Sequence, residues 1–173
     1  MLTRRTFGLA GIGLVAAAAG LRTGNSHANE ETMSTTTETF EITKTPEEWR
    51  KILTPEQYYV LREHGTERSG TSPLDKTYAD GTYECAGCAL PLFSSKTKFN
   101  SGTGWPSFYE PLDKAIGTSV DKGFFMTRTE VHCRRCGGHL GHVFNDGPQP
   151  TGLRYCMNGV ALKFVPKTDQ STG

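Results

Sequence analysis

The chain lacks long apolar runs. Its 173 residues include a charge-free stretch from Thr6 to Leu21, but this stretch is rich in glycine and alanine and is shorter than the roughly 18 apolar residues that a membrane span requires. Internal repeats are also missing, and only 35% of the residues are hydrophobic, so the core cannot be large. The length then suits one domain plus an export segment.

The sequence also lacks an excess of charge of either sign. It contains 19 basic and 18 acidic residues, and three of the arginines, Arg4, Arg5 and Arg22, fall within residues 1–28, which hold no acids. Without that segment, 16 basic residues face 18 acidic ones, a formal net charge of −2. Nucleic acid attracts basic patches, so we expect no nucleic-acid partner.

Residues 1–28 resemble a twin-arginine signal. Arg4 and Arg5 precede the weakly apolar stretch, and Ser26-His27-Ala28 gives a cleavage site of the small-x-small type. Such signals carry folded proteins across a bacterial inner membrane, so we expect an exported, periplasmic protein. A general secretory signal with two chance arginines is the alternative. Residues 29–44 are predicted to be a flexible linker and residues 45–168 the folded domain.

The folded part begins with signals for two short helices. Thr45-Pro46-Glu47-Glu48 and Thr54-Pro55-Glu56-Gln57 each offer an N-cap, a proline at the first helical position and a capping-box partner at the third. Gly65 can close the second helix.

From Thr66 onward the pattern is typical of an antiparallel β domain. Short apolar runs are separated by Gly, Pro, Asn and Asp clusters, and the helical stretches that parallel strands would need between them are missing. The fold class is therefore predicted to be mainly β with short N-terminal helices. The predicted strands are Thr82–Glu84, Phe93–Lys96, Phe108–Glu110, Val120–Asp121, Phe124–Thr129, Glu130–Cys133, His139–Phe144, Arg154–Met157 and Ala161–Pro166.

Four of the five cysteines form two Cys-x-x-Cys pairs. Cys85 pairs with Cys88 and Cys133 with Cys136, with 44 residues between the two motifs. Four thiolates can close a tetrahedral Zn²⁺ site, so we predict one structural zinc ion that joins two distant segments. Because thiols oxidise outside the cytoplasm, two alternatives stay open: a pair of disulfides, or a redox-active Cys-x-x-Cys.

Cys156 is the odd cysteine. In a strand, Arg154 and Asn158 would lie on the same face as Cys156, and a cation there favours the nucleophilic thiolate. His139 and His142 could supply acid–base chemistry. Cys156 could instead be a buried, unreactive thiol or an intermolecular disulfide partner. The histidines could instead lie at the surface or ligate zinc.

The stretch Gly102–Phe108 combines aromatic residues with glycines. Trp105 and Phe108 could form an apolar wall on a mobile loop or could simply pack in the core. A methyl group on sulfur would suit such a wall, because thioether sulfurs pack well against aromatic rings.

Several ordered motifs occur together in one enzyme family. They are Trp49–Lys51, Leu53–Tyr58, Gly102–Phe108, Gly141–Phe144, Asp146–Pro148 and Arg154–Asn158. Together they resemble the B-type methionine-R-sulfoxide reductases, over roughly residues 45–166, and both Cys-x-x-Cys pairs match the zinc-bearing subgroup. The resemblance implies two small antiparallel sheets with short flanking helices, and zinc on the side away from the active site.

The resemblance also implies roles at the reacting atoms. Cys156 would attack the sulfoxide sulfur, which releases methionine and leaves a sulfenic acid on the enzyme. His142 and Asn158 would hold and protonate the sulfoxide oxygen, and Asp146 and His139 would support them.

The remaining implied roles concern the surroundings of the sulfur. Arg154 would favour the thiolate, and Trp105 and Phe108 would hold the S-methyl group. The implied substrate is the R epimer of methionine sulfoxide, in oxidised proteins or as the free amino acid. The implied reductant is a thioredoxin-like protein or another thiol, and the protein is expected to be a monomer.

One departure from the family pattern matters. Many members carry a resolving cysteine where this chain has Thr103, and the other four cysteines are assigned to zinc. We therefore expect an external thiol to reduce the sulfenic acid directly. Two other functions stay open on the sequence alone: a non-enzymatic zinc-ribbon binding module, and a thiol–disulfide oxidoreductase that uses a Cys-x-x-Cys pair.

Overall fold

The computed structural model describes residues 39–123 and 126–168. The predicted signal at residues 1–28 and the predicted linker up to residue 38 lie outside the described residues. Within the described part, no helix is both long enough and apolar enough to cross a membrane.

Two short helices open the described part, as predicted. Helix α1 spans Pro46–Ile52 and helix α2 spans Pro55–Glu63. The Thr45 hydroxyl accepts the N–H of Glu48, whose carboxylate accepts the N–H of Thr45 in return, and the same box recurs at the start of α2. These reciprocal bonds satisfy backbone donors that a first helical turn leaves unpaired.

Nine strands within the described residues form two antiparallel sheets, which confirms the predicted fold class. The strands are β1 Gly81–Cys85, β2 Pro91–Ser94, β3 Lys98–Phe99, β4 Ser107–Phe108, β5 Ile116–Lys122, β6 Thr127–Cys133, β7 His139–Phe144, β8 Arg154–Met157 and β9 Leu162–Pro166. The smaller sheet has the order β2-β1-β9 and the larger one the order β3-β4-β8-β7-β6-β5. Strand β8 thus lies inside the larger sheet, between β4 and β7.

Aromatic rings join the two sheets. Phe93 of β2 and Phe108 of β4 are stacked, with ring centroids 4.4 Å apart, and Tyr83 of β1 meets Phe108 edge-on at 4.9 Å. All three side chains are completely buried. Because such ring pairs stabilise a core beyond the area they bury, they fix β4 against the smaller sheet and with it the neighbouring strand β8.

The predicted boundary within the polar hairpin is wrong. The sequence predicts two strands, Phe124–Thr129 and Glu130–Cys133, but residues 127–133 form one strand that pairs with β5 from Lys122↔Thr127 to Ile116↔Cys133. Residues 124 and 125 lie outside the described residues. Mostly polar side chains on both strands hide the alternation that would reveal their length.

The prediction is also displaced around β2 and β3. Strand β2 ends at Ser94, and Ser95–Thr97 form a 3₁₀ turn in which the Ser94 hydroxyl accepts the N–H of Lys96. The two-residue strand β3 is missing from the prediction, because alternation cannot be recognised over two residues.

Packing contacts begin before residue 45. The N–H of Ile42 donates to the carbonyl of Arg135 at 2.9 Å, and the Phe40 ring meets His132 edge-on at 5.7 Å. The last part of the predicted linker at 29–44 therefore contacts the turn that carries Cys133 and Cys136. The predicted boundary between linker and domain stays a prediction.

Candidate active site

Strand register places Cys156 between two other candidate groups. On β8, Cys156 is paired with Ser107 of β4 on one side and with His142 of β7 on the other. Residues directly opposite each other in an antiparallel pair have Cβ atoms about 5 Å apart and point to the same face of the sheet. A hydroxyl, a thiol and an imidazole from three strands therefore meet on one face.

Gly141 allows β7 to approach β8 at this point. A Cβ at position 141 would lie 2.1 Å from the carbonyl oxygen of Cys156 and 3.0 Å from the Cα of Met157. No side chain fits in that space, so the close strand pairing beside the thiol depends on the missing side chain.

Opposing effects act on the Cys156 thiol. Burial is the largest and raises its pKa, because an apolar environment disfavours the thiolate. Hydrogen bonding to Thr103 and the charge of Arg154 lower the pKa, but the net shift is upward. Arg154 therefore moderates the effect of burial without reversing it, and the protonated thiol predominates at neutral pH.

Hydroxyl groups lie on the Thr103 side of the thiol. Thr103 Oγ1 is 3.8 Å from Cys156 Sγ, and Ser101 Oγ is 2.8 Å from Thr103 Oγ1 and 2.7 Å from Ser107 Oγ. Thr103 thus faces the thiol from the position where the family resemblance places a resolving cysteine, and it offers a hydroxyl in place of a second thiol.

His142 is held by a carboxylate that the sequence analysis does not identify. Its Nε2 lies 2.9 Å from Oδ2 of Asp121 on β5, and the same oxygen accepts hydrogen bonds from Nε and Nη2 of Arg128 at 3.1 and 2.6 Å. The hydrogen bond from His142, followed by that from Arg128, lowers the pKa of Asp121, so this carboxylate is ionised. An ionised acceptor requires a proton on Nε2, which leaves Nδ1 as the nitrogen that can exchange a proton with a ligand.

His139 is held by a second carboxylate. Its Nδ1 lies 2.6 Å from Oε1 of Glu130, whose Oε2 accepts a hydrogen bond from Ser119 at 2.8 Å. Burial is the largest effect on Glu130 and raises its pKa, but hydrogen bonds from Ser119 and His139 make the net shift downward. Burial lowers the pKa of His139 and favours the neutral ring. The His139 and His142 rings meet edge-to-face, 5.4 Å apart.

Asn158 is oriented by hydrogen bonds at both ends of its amide. Its Oδ1 accepts the N–H of Glu67 at 2.9 Å, and its Nδ2 donates to the carbonyl of Leu140 at 3.1 Å. Because Nδ2 carries two hydrogens, one remains for a ligand. The Glu67 carbonyl also accepts the indole N–H of Trp105 at 3.3 Å, so one backbone unit positions two residues of the site.

Asp146 forms an ion pair with Arg154 and does not contact His142 or Asn158. The two carboxylate oxygens accept hydrogen bonds from Nε and Nη2 of Arg154 at 2.8 and 2.9 Å. The guanidinium also lies over the Phe144 ring, 4.4 Å from its centroid. Asp146 therefore fixes the cation beside the thiol, and its expected support of the sulfoxide oxygen stays a prediction.

A pocket of about 120 Å³ lies beside the Cys156 thiol. It is lined by Thr66, Trp105, Arg128, Gly141, His142, Phe144, Cys156 and Asn158. Phe108 is not among the lining residues, because its ring is completely buried in the stack against Phe93, and its expected contact with the S-methyl group stays a prediction. Phe144 supplies the second aromatic wall beside Trp105 instead.

Several residues of the site are not predicted from the sequence, among them Asp121, Arg128, Glu67 and Phe144. Asp121 and Arg128 stand opposite each other in the β5–β6 pair, and their relation to His142 depends on register across three strands. The signal that could have revealed Phe144 is strand alternation, since it lies two residues from His142 and therefore on the same face of β7.

The remaining four cysteines form a cluster that could hold a metal ion. Their sulfurs all lie within 4.8 Å of one another, with 3.7 Å between Cys85 and Cys136 and 3.5 Å between Cys88 and Cys133. A disulfide would require about 2.05 Å. Tetrahedral coordination with Zn–S bonds of about 2.3 Å implies sulfur separations of about 3.8 Å, which the cluster approaches.

Arg62 joins the helices to this cluster. Its two terminal nitrogens donate to the Cys136 carbonyl at 3.1 and 3.0 Å, and one lies 3.7 Å from the Cys136 sulfur. The guanidinium also stacks on Trp49 of α1, 4.4 Å from the ring centroid. Cys136 precedes β7, whereas His142 lies in its second half, so the cluster and the pocket are at different ends of the same strand.

Comparison with known proteins decides the family. The family model for the SelR domain matches residues 53–166, which include the four clustered cysteines and every residue that lines the pocket. The chain belongs to the SelR-domain family. The match begins within the helical segment and ends with β9.

Curated relatives align with this chain over nearly their whole length. A peptide methionine sulfoxide reductase MsrB of Leptospira interrogans is 56% identical over 126 residues, which are 72% of this chain and 96% of the relative. The protein of the same name from Pseudomonas putida is 57% identical over 127 residues, 73% of this chain and 96% of the relative. The one from Methanosarcina barkeri is 53% identical over 133 residues, with 76% and 94% coverage.

Arg154 should limit the rise in the pKa of the Cys156 thiol in this SelR domain. Replacing Arg154 with Gln removes its charge and hydrogen bond from the vicinity of Cys156, so the thiol pKa should rise further above its usual value. The midpoint of iodoacetamide alkylation against pH should then move to higher pH. Arg68→Gln, at an exposed arginine, should leave the midpoint unchanged. An unchanged or lower midpoint in Arg154→Gln would show that this cation does not act on the thiol.

Proposed function

We propose that this chain is a peptide-methionine (R)-S-oxide reductase whose nucleophile is Cys156. The observation that supports this most directly is the pairing of Cys156 with His142 on adjacent strands, at a pocket with two aromatic walls. The family and its MsrB relatives support the same activity.

The pocket suits the end of a methionine sulfoxide side chain. A cavity of about 150 Å³ can hold a benzene molecule, so a pocket of about 120 Å³ has room for a methyl group, a sulfur and an oxygen. Trp105 and Phe144 would pack on the S-methyl group, because sulfur and its substituents pack favourably on aromatic rings. The rest of the substrate would stay outside the pocket, so a methionine sulfoxide that is part of a protein chain could also bind.

The first step transfers oxygen to the enzyme. The Cys156 sulfur, as thiolate, attacks the sulfoxide sulfur and forms an S–S bond while the sulfoxide oxygen takes up a proton. That S–S bond breaks, with its electron pair returning to the methionine sulfur, as the hydroxyl group moves to Cys156. The S–O bond of the substrate is then replaced by an S–O bond on Cys156. A thiol and a sulfoxide become a sulfenic acid and a thioether, so the substrate sulfur is reduced by two electrons and Cys156 is oxidised by two.

The proton for the oxygen would come from the His142 side of the pocket. Because Asp121 accepts the hydrogen bond from Nε2, Nδ1 is the ring nitrogen that would pass a proton to the sulfoxide oxygen. Asn158 would donate its second amide hydrogen to the same oxygen. Because the pKa of the Cys156 thiol is raised, the thiol carries its proton at rest and would become the attacking thiolate by transferring that proton toward the bound sulfoxide.

The second step requires a reductant from outside the chain. The chain contains five cysteines, and the four other than Cys156 are gathered in the metal cluster. One external thiol would attack the sulfenic sulfur, which gives a mixed disulfide and water, and a second would release Cys156 as thiol with formation of the reductant's disulfide.

We assign Zn²⁺ to the cluster of Cys85, Cys88, Cys133 and Cys136. Four thiolates fill all four coordination positions of a tetrahedral zinc ion. The metal would therefore stabilise the fold and would not take part in the reaction with the substrate. The Arg62 guanidinium beside Cys136 would offset part of the negative charge of four thiolates on a divalent ion.

The reaction is tested with separated R and S methionine sulfoxides and dithiothreitol. The wild-type protein should reduce the R epimer alone and contain one zinc ion, and Cys156→Ser should abolish turnover while keeping the metal and the melting temperature. A zinc-ribbon binding module would show no turnover in either protein. Turnover that survives in Cys156→Ser, with no metal bound, would indicate a thiol–disulfide oxidoreductase instead.

Glu67 acts as a positioning residue in this proposal. Its half-buried carboxylate accepts the N–H groups of Gly159 and Val160 at 2.6 and 3.0 Å, and its backbone contacts Asn158 and Trp105. Burial raises the pKa of Glu67, and the two backbone hydrogen bonds reduce that shift. The carboxylate thus fixes the turn that follows Asn158.

Replacing Glu67 with Gln should impair catalysis more than folding. The amide keeps one acceptor but places an N–H group against a backbone donor, so Asn158 loses its fixed position. We expect kcat to fall about tenfold or more, since small displacements of positioning groups are costly, with a smaller change in KM. The exposed Glu110→Gln serves as the control. An equal kcat in Glu67→Gln and Glu110→Gln would show that Glu67 does not position Asn158 for catalysis.

Export through residues 1–28, a monomeric state and the absence of a nucleic-acid partner stay predictions from the sequence. The nature of the external thiol is likewise proposed by class alone.

A further inference from the structure

Three ligand-type side chains converge outside the cysteine cluster. His64 Nδ1 lies 2.8 Å and His139 Nδ1 2.6 Å from the same oxygen, Oε1 of Glu130, and the three ligand atoms all lie within 4.8 Å of one another. They come from the end of α2, from β6 and from the first position of β7.

The chain positions His64 through an unusual helix end. His64, and not the following Gly65, takes the left-handed conformation that terminates α2, with φ 54° and ψ 31°. Gly65 must lack a side chain because a Cβ there would lie 2.2 Å from the Tyr59 ring. This conformation directs the His64 ring toward β7, where its centroid is 5.4 Å from that of His139.

The three groups differ in mobility in a way that suits reversible binding. The side chains of His139 and Glu130 are only 3% and 12% exposed, and Ser119 holds the second oxygen of Glu130 in place. The side chain of His64 is 64% exposed and can move. Two ligands are therefore fixed by the sheet, and the third can open toward solvent and close again.

The donor set fits a divalent transition metal. Two imidazole nitrogens and one carboxylate oxygen suit zinc, nickel and copper, whereas calcium and magnesium prefer oxygen ligands. Metal–ligand bonds of about 2.0–2.1 Å in a tetrahedral site imply ligand separations of about 3.3 Å. A shift of the exposed His64 can widen its 2.8 Å separation from Glu130 by the required half an ångström or so. The 2.6 Å between His139 and Glu130 must widen by about 0.7 Å, which requires a small rotation of the Glu130 carboxylate.

We propose that His64, Glu130 and His139 form a second, exchangeable metal site for a divalent ion of the zinc, nickel and copper group. Water would complete the coordination from the exposed side of His64. Because the His139 ring touches the His142 ring, a bound ion would lie one side chain away from the catalytic pocket. The four-cysteine cluster is closed and separate, so the two sites would differ in both donor type and exchange rate.

The test uses full-length, untagged protein with zinc already in the cysteine cluster. Cys156 is replaced by Ser in every sample, so that its thiol cannot act as a ligand. Titration with NiCl₂ by calorimetry should show one further ion per chain. His64→Ala should weaken this binding at least tenfold, and His64→Gln, which keeps the polar character, should behave like the alanine variant. Glu63→Gln, which alters the adjacent exposed acid, should bind as the parent does.

The same samples give a spectroscopic control. Paramagnetic Ni²⁺ should broaden the ring-proton NMR signals of His64 and His139 at lower concentrations than that of His132. Absence of binding below millimolar Ni²⁺, or equal affinity in the parent and in both folded His64 variants, would overturn the proposal and leave a hydrogen-bonded triad.

Discussion

The pairing of β8 between β4 and β7 is the constraint on which the site depends. It brings Cys156 opposite Ser107 on one side and opposite His142 on the other, from three separate parts of the chain. Stacking of Phe93 on Phe108 fixes β4 against the smaller sheet. The missing side chain at Gly141 lets β7 approach β8 closely. A one-residue slip of this register would turn the thiol to the opposite face of the sheet.

Electrostatic interactions set the protonation of the thiol and the orientation of the two histidines. Burial keeps Cys156 protonated at rest, and the ion pair of Arg154 with Asp146 places a fixed cation nearby that limits the shift. Carboxylates on β5 and β6 hold the two histidines, so each ring has one nitrogen occupied before any substrate arrives. In our account the resting enzyme is therefore preorganised around the sulfoxide oxygen, while the nucleophile becomes reactive only with substrate in place.

The sequence predicts the fold class, both helices and the positions of β7 and β8, because caps and strand alternation are local signals. The motifs around Cys156 and His142 also lead to residues that line one pocket in the structure. Long-range contacts are what the sequence does not reveal. Phe108 stands among glycines like a residue of a pocket wall, but Phe93 on the other sheet holds its ring in the core. Asp121 gains its importance from register across β5, β6 and β7, which no short motif contains.

In the proposed mechanism Cys156 works as a nucleophile without a partner thiol in the chain. A single turnover without reductant, followed by mass spectrometry of the intact protein and of its peptides, distinguishes this from a mechanism with an internal disulfide. We predict one methionine formed per chain and one added oxygen on Cys156, which dimedone traps as a sulfenic acid. An intramolecular disulfide between Cys156 and any of the four clustered cysteines would contradict it.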